Sequence, residues 1–408
     1  MLCFRPFSSS RNVCLTTYVM ALSLGFAANS SVMAQTPRCT NDALKAALHT
    51  DLENYLTTRS SAEHISTLSM TVSFRGDPND INMAVGKTQY GGDEDVTPEN
   101  VFQIGSNTKA YTSVLILQLE ADGVLSIDDT LGKWLPQYPA YGDVTIRQLL
   151  NMTSGIPTYD ATSAWETDVT NNPYGISTPD QLVAYVYPAH RKPGSWEYSN
   201  TGYILAQMII EKATKWHSYK ADLDQLLTGL NLHNTFYDSD FYPPAVRERL
   251  VSGYYVNTDD PGLAKLLGMD TKNFSLGWTQ AAGGIIATPH DMTKWIRDLF
   301  EGDVLPSKQK QELLSLVAIP DGEHIDQTST EHPEGFALGL FQLTIPPFEL
   351  FWGYQGSTLG YRATYSYYPA SGVIVTVFTN SQAPKEENKI NEILVANLYQ
   401  TLKTFGKI

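Results

Sequence analysis

Leu44, Leu48, Leu52, Tyr55 and Leu56 recur at helical spacing, so residues 41–59 read as an amphipathic helix with one face to bury. After Thr67 the period changes to two. Met70, Val72 and Phe74 alternate with polar neighbours, the cluster from Gly76 to Asn79 turns the chain, and Ile81 to Val85 runs back, which is a hairpin pattern. Gly91, Gly92 and Pro98 then mark a loop. Beyond it a helix starts near Ser106. Its middle (Val114, Leu115, Ile116, Leu117, Leu119) is apolar nearly all round, so it belongs inside the protein and should stop at Gly123, a good left-handed cap.

From Leu125 to about Phe300 helical segments alternate with Pro- and Gly-containing loops, and strand patterns are hard to find. Thr145 to Leu150 starts a short helix halted by Ser154, Gly155 and Pro157. Gln181 to Val186 is another, Gly202 to Thr214 carries an apolar stripe, and Met292 to Phe300 is amphipathic. Strand signals return at Phe336 to Thr344, Glu349 to Trp352, Ala363 to Tyr368 and Gly372 to Thr379. The last has the Val373, Ile374, Val375, Val377, Phe378 run of a central strand. Lys385 to Leu402 closes the chain as an amphipathic helix. These elements predict an α+β fold: an antiparallel sheet flanked by terminal helices (35–124 and 301–408), a mostly helical lobe inserted at 125–300, and a cleft between them.

The first residues change the compartment rather than the fold. Arg5 and Arg11 precede an apolar run from Val13 to Ala28, and Val32, Met33 and Ala34 suit a signal peptidase, so cleavage is expected after Ala34. A retained anchor is the alternative, but the run is short and diluted by Thr16, Thr17 and Ser23. Cleavage would leave 374 of the 408 residues, exported to the periplasm or the medium, without a stable membrane span and with Cys39 as the remaining cysteine. The formal charge of −15 argues against nucleic acid as a partner. The eight histidines are scattered, none at metal-ligand spacing to another His or to Cys, and no metal or other cofactor is expected.

The chemistry centres on Ser106 and Lys109, three residues apart where Gly105 gives way to the apolar helix, so both side chains face one way from its first turn. Unpaired N–H groups and the dipole of a helix start favour developing negative charge and disfavour an ammonium. A neutral Lys109 can take the Ser106 proton. Pro193 and Gly194 signal a turn before Tyr198, Ser199 and Asn200. Tyr198 offers a phenol that can shuttle a proton, and Asn200 a carboxamide for the lysine or a substrate amide. On local grounds alone Tyr198 equally fits a packed turn aromatic and Asn200 a helix N-cap. Tyr354, Gln355, Gly356 and Ser357 approach a strand, and Gly356 lets the backbone come close enough for the Ser357 N–H to pair with that of Ser106 as an oxyanion hole. The small residues Ala281, Ala282, Gly283 and Gly284 read as close packing.

Ser106-x-x-Lys109, Tyr198-Ser199-Asn200 and a triad ending at Gly356 resemble, in order, the motifs of the penicillin-recognising serine hydrolases: class C β-lactamases, D-Ala-D-Ala carboxypeptidases and their esterase and D-aminopeptidase relatives. The stretches 125–136, 145–157, 281–291 and 356–361 resemble the same superfamily, so the likeness covers most of residues 40–403. It implies a Ser106 acyl-enzyme, acid and base work shared by Lys109 and Tyr198, an acyl amide oriented by Asn200, and oxyanion N–H groups on Ser106 and Ser357. It also implies a Tyr198 pKa lowered by Lys109, so that a phenolate assists.

One departure bears on the substrate. The third motif of such peptidases and lactamases usually opens with Lys or His followed by Thr or Ser, which bind a substrate carboxylate, whereas this chain has Tyr354 and Gln355. Neither carries a positive charge, so a charge-assisted contact of roughly 1.5–3 kcal/mol is missing. Arg362 is a candidate replacement, the alternative being a solvated strand-edge arginine. The expected activity is hydrolysis of D-amino-acid peptides, small esters or β-lactams. The alternative is a penicillin-binding or sensor protein with little turnover. A Ser-His-Asp hydrolase is disfavoured because no Gly-x-Ser-x-Gly elbow occurs.

Overall fold

The strand Thr67–Ser73 (β1) is buried along its whole length, with Leu68, Met70 and Val72 on one face and Ser69, Thr71 and Ser73 on the other. The computed structural model describes residues 37–408 apart from 216, 239 and 240, so the predicted signal segment lies outside the described residues. The described residues from Asp42 to Ile408 form one compact unit. No helix among them is long and apolar enough to cross a membrane.

In chain order the further strands are Ile81–Gly86 (β2), Phe102–Gln103 (β3), Thr235–Tyr237 (β4), Tyr254–Tyr255 (β5), Ile285–Ala287 (β6), Leu316–Ala318 (β7), His324–Ile325 (β8), Glu334–Phe336 (β9), Phe341–Leu343 (β10), Phe351–Ser357 (β11), Arg362–Tyr368 (β12), Val373–Thr379 (β13) and Ser381–Gln382 (β14). Nine of them make one sheet in the order β2-β1-β13-β12-β11-β10-β9-β7-β8, and every pairing in it is antiparallel. The predicted hairpin pairs Met70 with Met83, and the expected central strand β13 lies between β1 and β12. The α+β architecture read from the periodicity is the one observed.

Each face of the sheet has its own cover. Leu44, Leu48, Leu52 and Tyr55 of the first helix (Pro37–Glu63) and Leu398 and Leu402 of the last (Ala396–Thr404) pack with Leu68, Met70, Val72, Val373, Val375 and Val377. Burial of these apolar side chains, at roughly 1.5–3 kcal/mol each, is what holds the terminal helices down. The opposite face of β1 and β13 presents hydroxyls to the helix Pro289–Glu301, where the Thr293 and Thr376 hydroxyls meet at 2.7 Å.

Three differences from the sequence reading have physical reasons. β4, β5 and β6 lie within the segment expected to be helical, and β6 pairs with both β3 and β4. Strands of two or three residues are too short to show alternation. The closing helix is not continuous from Lys385: a π-helical turn at Ile390–Val395 precedes Ala396–Thr404. The helix carrying Lys109 runs from Thr108 to Ala121, and Ser106 sits just before it in a 3-10 turn, Gly105–Asn107. Its end is as expected, with Gly123 at φ +71 and the Val124 N–H donating 2.9 Å to the Leu119 carbonyl, a Schellman closure.

Candidate active site

Gly105 adopts φ +51, and a β-carbon there would stand 2.5 Å from the Ser357 carbonyl oxygen and 2.7 Å from its nitrogen. The end of β11 therefore lies directly against the residue that precedes Ser106, which brings the Ser106 and Ser357 backbones together. Gly356 is needed for the same approach, since a β-carbon on it would fall 2.1 Å from the Ile104 carbonyl. Asn107 ties the turn to the sheet. Its buried carboxamide donates 3.0 Å to the Ile104 carbonyl and 2.9 Å to that of Ala363 in β12.

Lys109 points back over this turn with no exposure to solvent. Its Nζ donates 2.9 Å to Ser106 Oγ, 2.6 Å to Asn200 Oδ1 and 2.8 Å to the Ala282 carbonyl. Burial lowers its pKa to about 7, against a smaller opposing pull from the Asp160 carboxylate. A lysine at that value is a base at neutral pH. The helix-start field expected from the sequence is not the main cause; desolvation is.

Tyr198 reaches Ser106 from the other side, with the two hydroxyl oxygens 2.5 Å apart. Tyr198 is half-buried, and burial pushes the phenol up to about 12 even though hydrogen bonds from Ser106 and Tyr354 oppose the shift. This corrects the expectation of a lowered Tyr198 pKa. The ammonium that would lower it is itself neutralised by burial, so Tyr198 holds its proton and is suited to be a donor. Tyr354, 6% exposed, donates 3.1 Å to Tyr198 Oη and so stands where the third motif usually places its cation.

Asn200 opens the helix Asn200–Ala213, but it does not cap it. Its carboxamide is used at both ends: Oδ1 accepts from Lys109, and Nδ2 donates 2.7 Å to Asp160 Oδ2. Asp160 carries no motif signal in the sequence. It follows Tyr159 in a 3-10 turn, Tyr159–Ala161, tied by two further bonds, from the Asn200 N–H to the Thr158 hydroxyl at 3.1 Å and from that hydroxyl to Asp160 Oδ1. The Ala282 carbonyl was likewise missed. The small-residue run 281–284 looked like packing alone, and only the fold lays it beside Lys109.

Two named residues are not brought to the site. Gln355 projects from the opposite face of β11, where its Oε1 accepts 2.9 Å from Asn391 Nδ2. Arg362 is neither the missing cation nor a solvated edge residue. It is fully buried, paired with Glu63 at 2.8 Å, and it donates 2.6 Å to the Ser381 carbonyl and 2.6 Å to Asn388 Oδ1. One strand alternates its faces, so the residue beside a site residue points away from it. Among the described residues no group of three or more His, Cys, Asp or Glu is placed to hold a metal ion.

The arrangement is a serine hydroxyl between a neutral-range lysine and a protonated phenol, with two backbone amides nearby. Comparison with known proteins agrees with that chemistry. The Beta-lactamase family model matches residues 62–400. Penicillin-binding protein 4* of Bacillus subtilis (strain 168) is 30% identical over 234 residues, 56% of this chain and 51% of that protein. Protein flp of Staphylococcus aureus (strain MW2) is 30% identical over 207 residues, 49% of this chain and 39% of its own length. The chain thus spans about half or less of these curated relatives. Among solved structures, a D-stereospecific amidohydrolase from Streptomyces sp. superposes with TM-score 0.67 at 27% identity, covering 83% of this chain and 94% of that one. The D-amino acid amidase of Ochrobactrum anthropi SV3 gives TM-score 0.72 at 22% identity over 90% and 99%, a likeness of fold. With the family model spanning most of its length and the serine, lysine and tyrosine motifs meeting at one point, this chain belongs to the Beta-lactamase family, within the penicillin-recognising serine hydrolases.

Proposed function

We propose that the protein is an exported serine hydrolase that works through an acyl-enzyme on Ser106, with D-amino-acid amides, peptides or small esters as substrates ahead of β-lactams. The observation that carries this reading is the 2.9 Å bond between Lys109 and Ser106 at a lysine with a pKa of about 7. Ser106 Oγ attacks the substrate carbonyl carbon and its proton passes to Lys109. The oxyanion is met by the Ser106 and Ser357 N–H groups, and Tyr198, still protonated, gives its proton to the leaving nitrogen or oxygen as the bond to it breaks. In deacylation a water attacks the ester carbonyl, and the proton path runs in reverse.

A weakened hold on a substrate carboxylate is argued from Tyr354, which can donate a hydrogen bond but no charge, and from Arg362, which is held by Glu63 away from the site. The D-stereospecific amidohydrolase likeness supports the D-configured amide class. A penicillin-binding protein with slow deacylation is the second reading, supported by the Bacillus subtilis relative.

Treatment of the purified protein with a fluorophosphonate and, separately, a fluorescent penicillin should leave an adduct on the Ser106 peptide with the first reagent at least. Absence of adduct from both in folded protein would overturn the reading. Turnover of a panel holding a D-amino-acid amide, a D-Ala-D-Ala peptide, p-nitrophenyl butyrate and a cephalosporin ranks the substrates. A stable adduct without turnover selects the second reading. Export predicts that protein recovered from the periplasm or the medium begins at Gln35.

A further inference from the structure

We propose that Asp160 is a positioning residue for the acylation of Ser106: it locks the Asn200 carboxamide so that its oxygen faces Lys109. The inference rests on the serine hydrolase reading above and adds to it a residue that none of the sequence motifs contains.

A carboxamide can be turned either way, and its neighbours decide which way. Here Lys109 Nζ lies 2.6 Å from one end of Asn200 and the Asp160 carboxylate 2.7 Å from the other. A carboxylate accepts and does not donate, so the end beside it must be the N–H₂. Reversing the amide would set carbonyl against carboxylate. Asp160 is in turn fixed by the Thr158 hydroxyl, which also accepts the Asn200 backbone N–H. The carboxamide is thereby held at both ends by bonds to the protein, its oxygen toward the lysine and one of its two N–H donors toward Asp160.

The second effect is electrostatic. Lys109 is faced by the hydroxyl of Ser106, the carboxamide of Asn200, the Ala282 carbonyl and the rings of Tyr198 and Tyr203 at 4.9 and 5.4 Å. Asp160 is the carboxylate whose charge bears on it, and that charge holds the Lys109 pKa up against desolvation. Asp160 therefore sets both where the Lys109 nitrogen sits and the pH at which it becomes a base.

The test is the pH profile of Ser106 acylation by a fluorophosphonate, with p-nitrophenyl butyrate turnover alongside, in wild type, Asp160→Asn and Asp160→Glu. Removing the charge should move the limb that reports Lys109 deprotonation to lower pH and reduce the plateau rate on the order of 10- to 100-fold. Asp160→Glu should restore the limb. In an Asn200→Ala background, Asp160→Asn should remove little further from the plateau, because its positioning partner is already gone. An unmoved limb with an unchanged plateau in folded Asp160→Asn would overturn the proposal. So would additive plateau losses in the double variant; if Asp160→Asn alone proves too unstable to assay, the step from Asn200→Ala to the double variant decides the matter, a further loss of about 10-fold or more overturning the proposal. Failure of wild type to react at any pH would instead overturn the hydrolase reading itself.

Discussion

Arg362 and Glu63 face each other at 2.8 Å with neither side chain exposed to solvent. The pair joins β12 to the end of the first helix, and Glu63 also receives Arg59 at 3.0 Å and the Tyr55 hydroxyl at 2.6 Å. Removing one partner leaves a charge buried without its counter-ion. Glu63→Ala is therefore expected to lower stability by about 3–5 kcal/mol, read as the shift in the urea midpoint, while Arg362→Met with Glu63→Leu should recover much of it.

Gly356 lies against the start of the nucleophile turn with no room for a β-carbon. Gly356→Ala forces a carbon into the Ile104 carbonyl. Overpacking of this kind costs about 1–3 kcal/mol. Because the displaced residue adjoins Ser357, kcat should fall more than stability does. Parallel measurement of thermal unfolding and esterase rate checks this, and equal proportional losses would contradict it.

The buried lysine makes both activity and stability depend on pH with a determined sign. As the base it must be neutral, so kcat/KM should rise through about pH 7. In the folded state Lys109 gives up its proton near pH 7, while unfolded it keeps the proton to the ordinary lysine range of about 10.4. Between those values the unfolded chain binds more protons, so stability contributed by Lys109 increases with pH. Relative to Lys109→Met, wild type should gain stability from pH 7 to 10, measured by chemical denaturation at fixed ionic strength. A flat difference would mean that the lysine is charged in the fold.

Tyr354 decides what charge the site offers. Tyr354→Lys introduces the missing cation beside Tyr198 and should increase the rate of Ser106 labelling by fluorescent penicillin relative to labelling by a fluorophosphonate. Tyr354→Phe removes the 3.1 Å bond that opposes the upward shift of Tyr198, so the phenol becomes a weaker acid and kcat for poor leaving groups should fall. An unchanged leaving-group dependence in Tyr354→Phe would remove Tyr198 from the donor role.

The motif residues that meet in the site were readable because their spacing is local or their order along the chain is familiar: Ser106 with Lys109 on one helical turn, Tyr198 with Asn200 across a turn. The misplacements have one cause. Gln355 and Arg362 lie near site residues in sequence, but the alternation of a strand sends neighbours to opposite faces, and only the pairing of β12 with its surroundings sets Arg362 against Glu63. Asp160 could not be found because its meaning depends on a carboxamide forty positions later. The broad α+β outline was legible because long amphipathic helices and the β13 run carry strong periodicity. β4 to β6 were not, since two or three residues hold no period.

The Asn107 carboxamide, bonded to both its own turn and the Ala363 carbonyl, couples the nucleophile mechanically to the sheet. Ser106 and the Ser357 amide thus belong to one bonded piece, whereas Tyr198 arrives on the segment after Gly194 and Asn200 at the start of the following helix. A displacement of one piece against the other therefore has an uneven consequence: it leaves Ser106, its base Lys109 and the oxyanion amides in register and separates them from the Tyr198 donor.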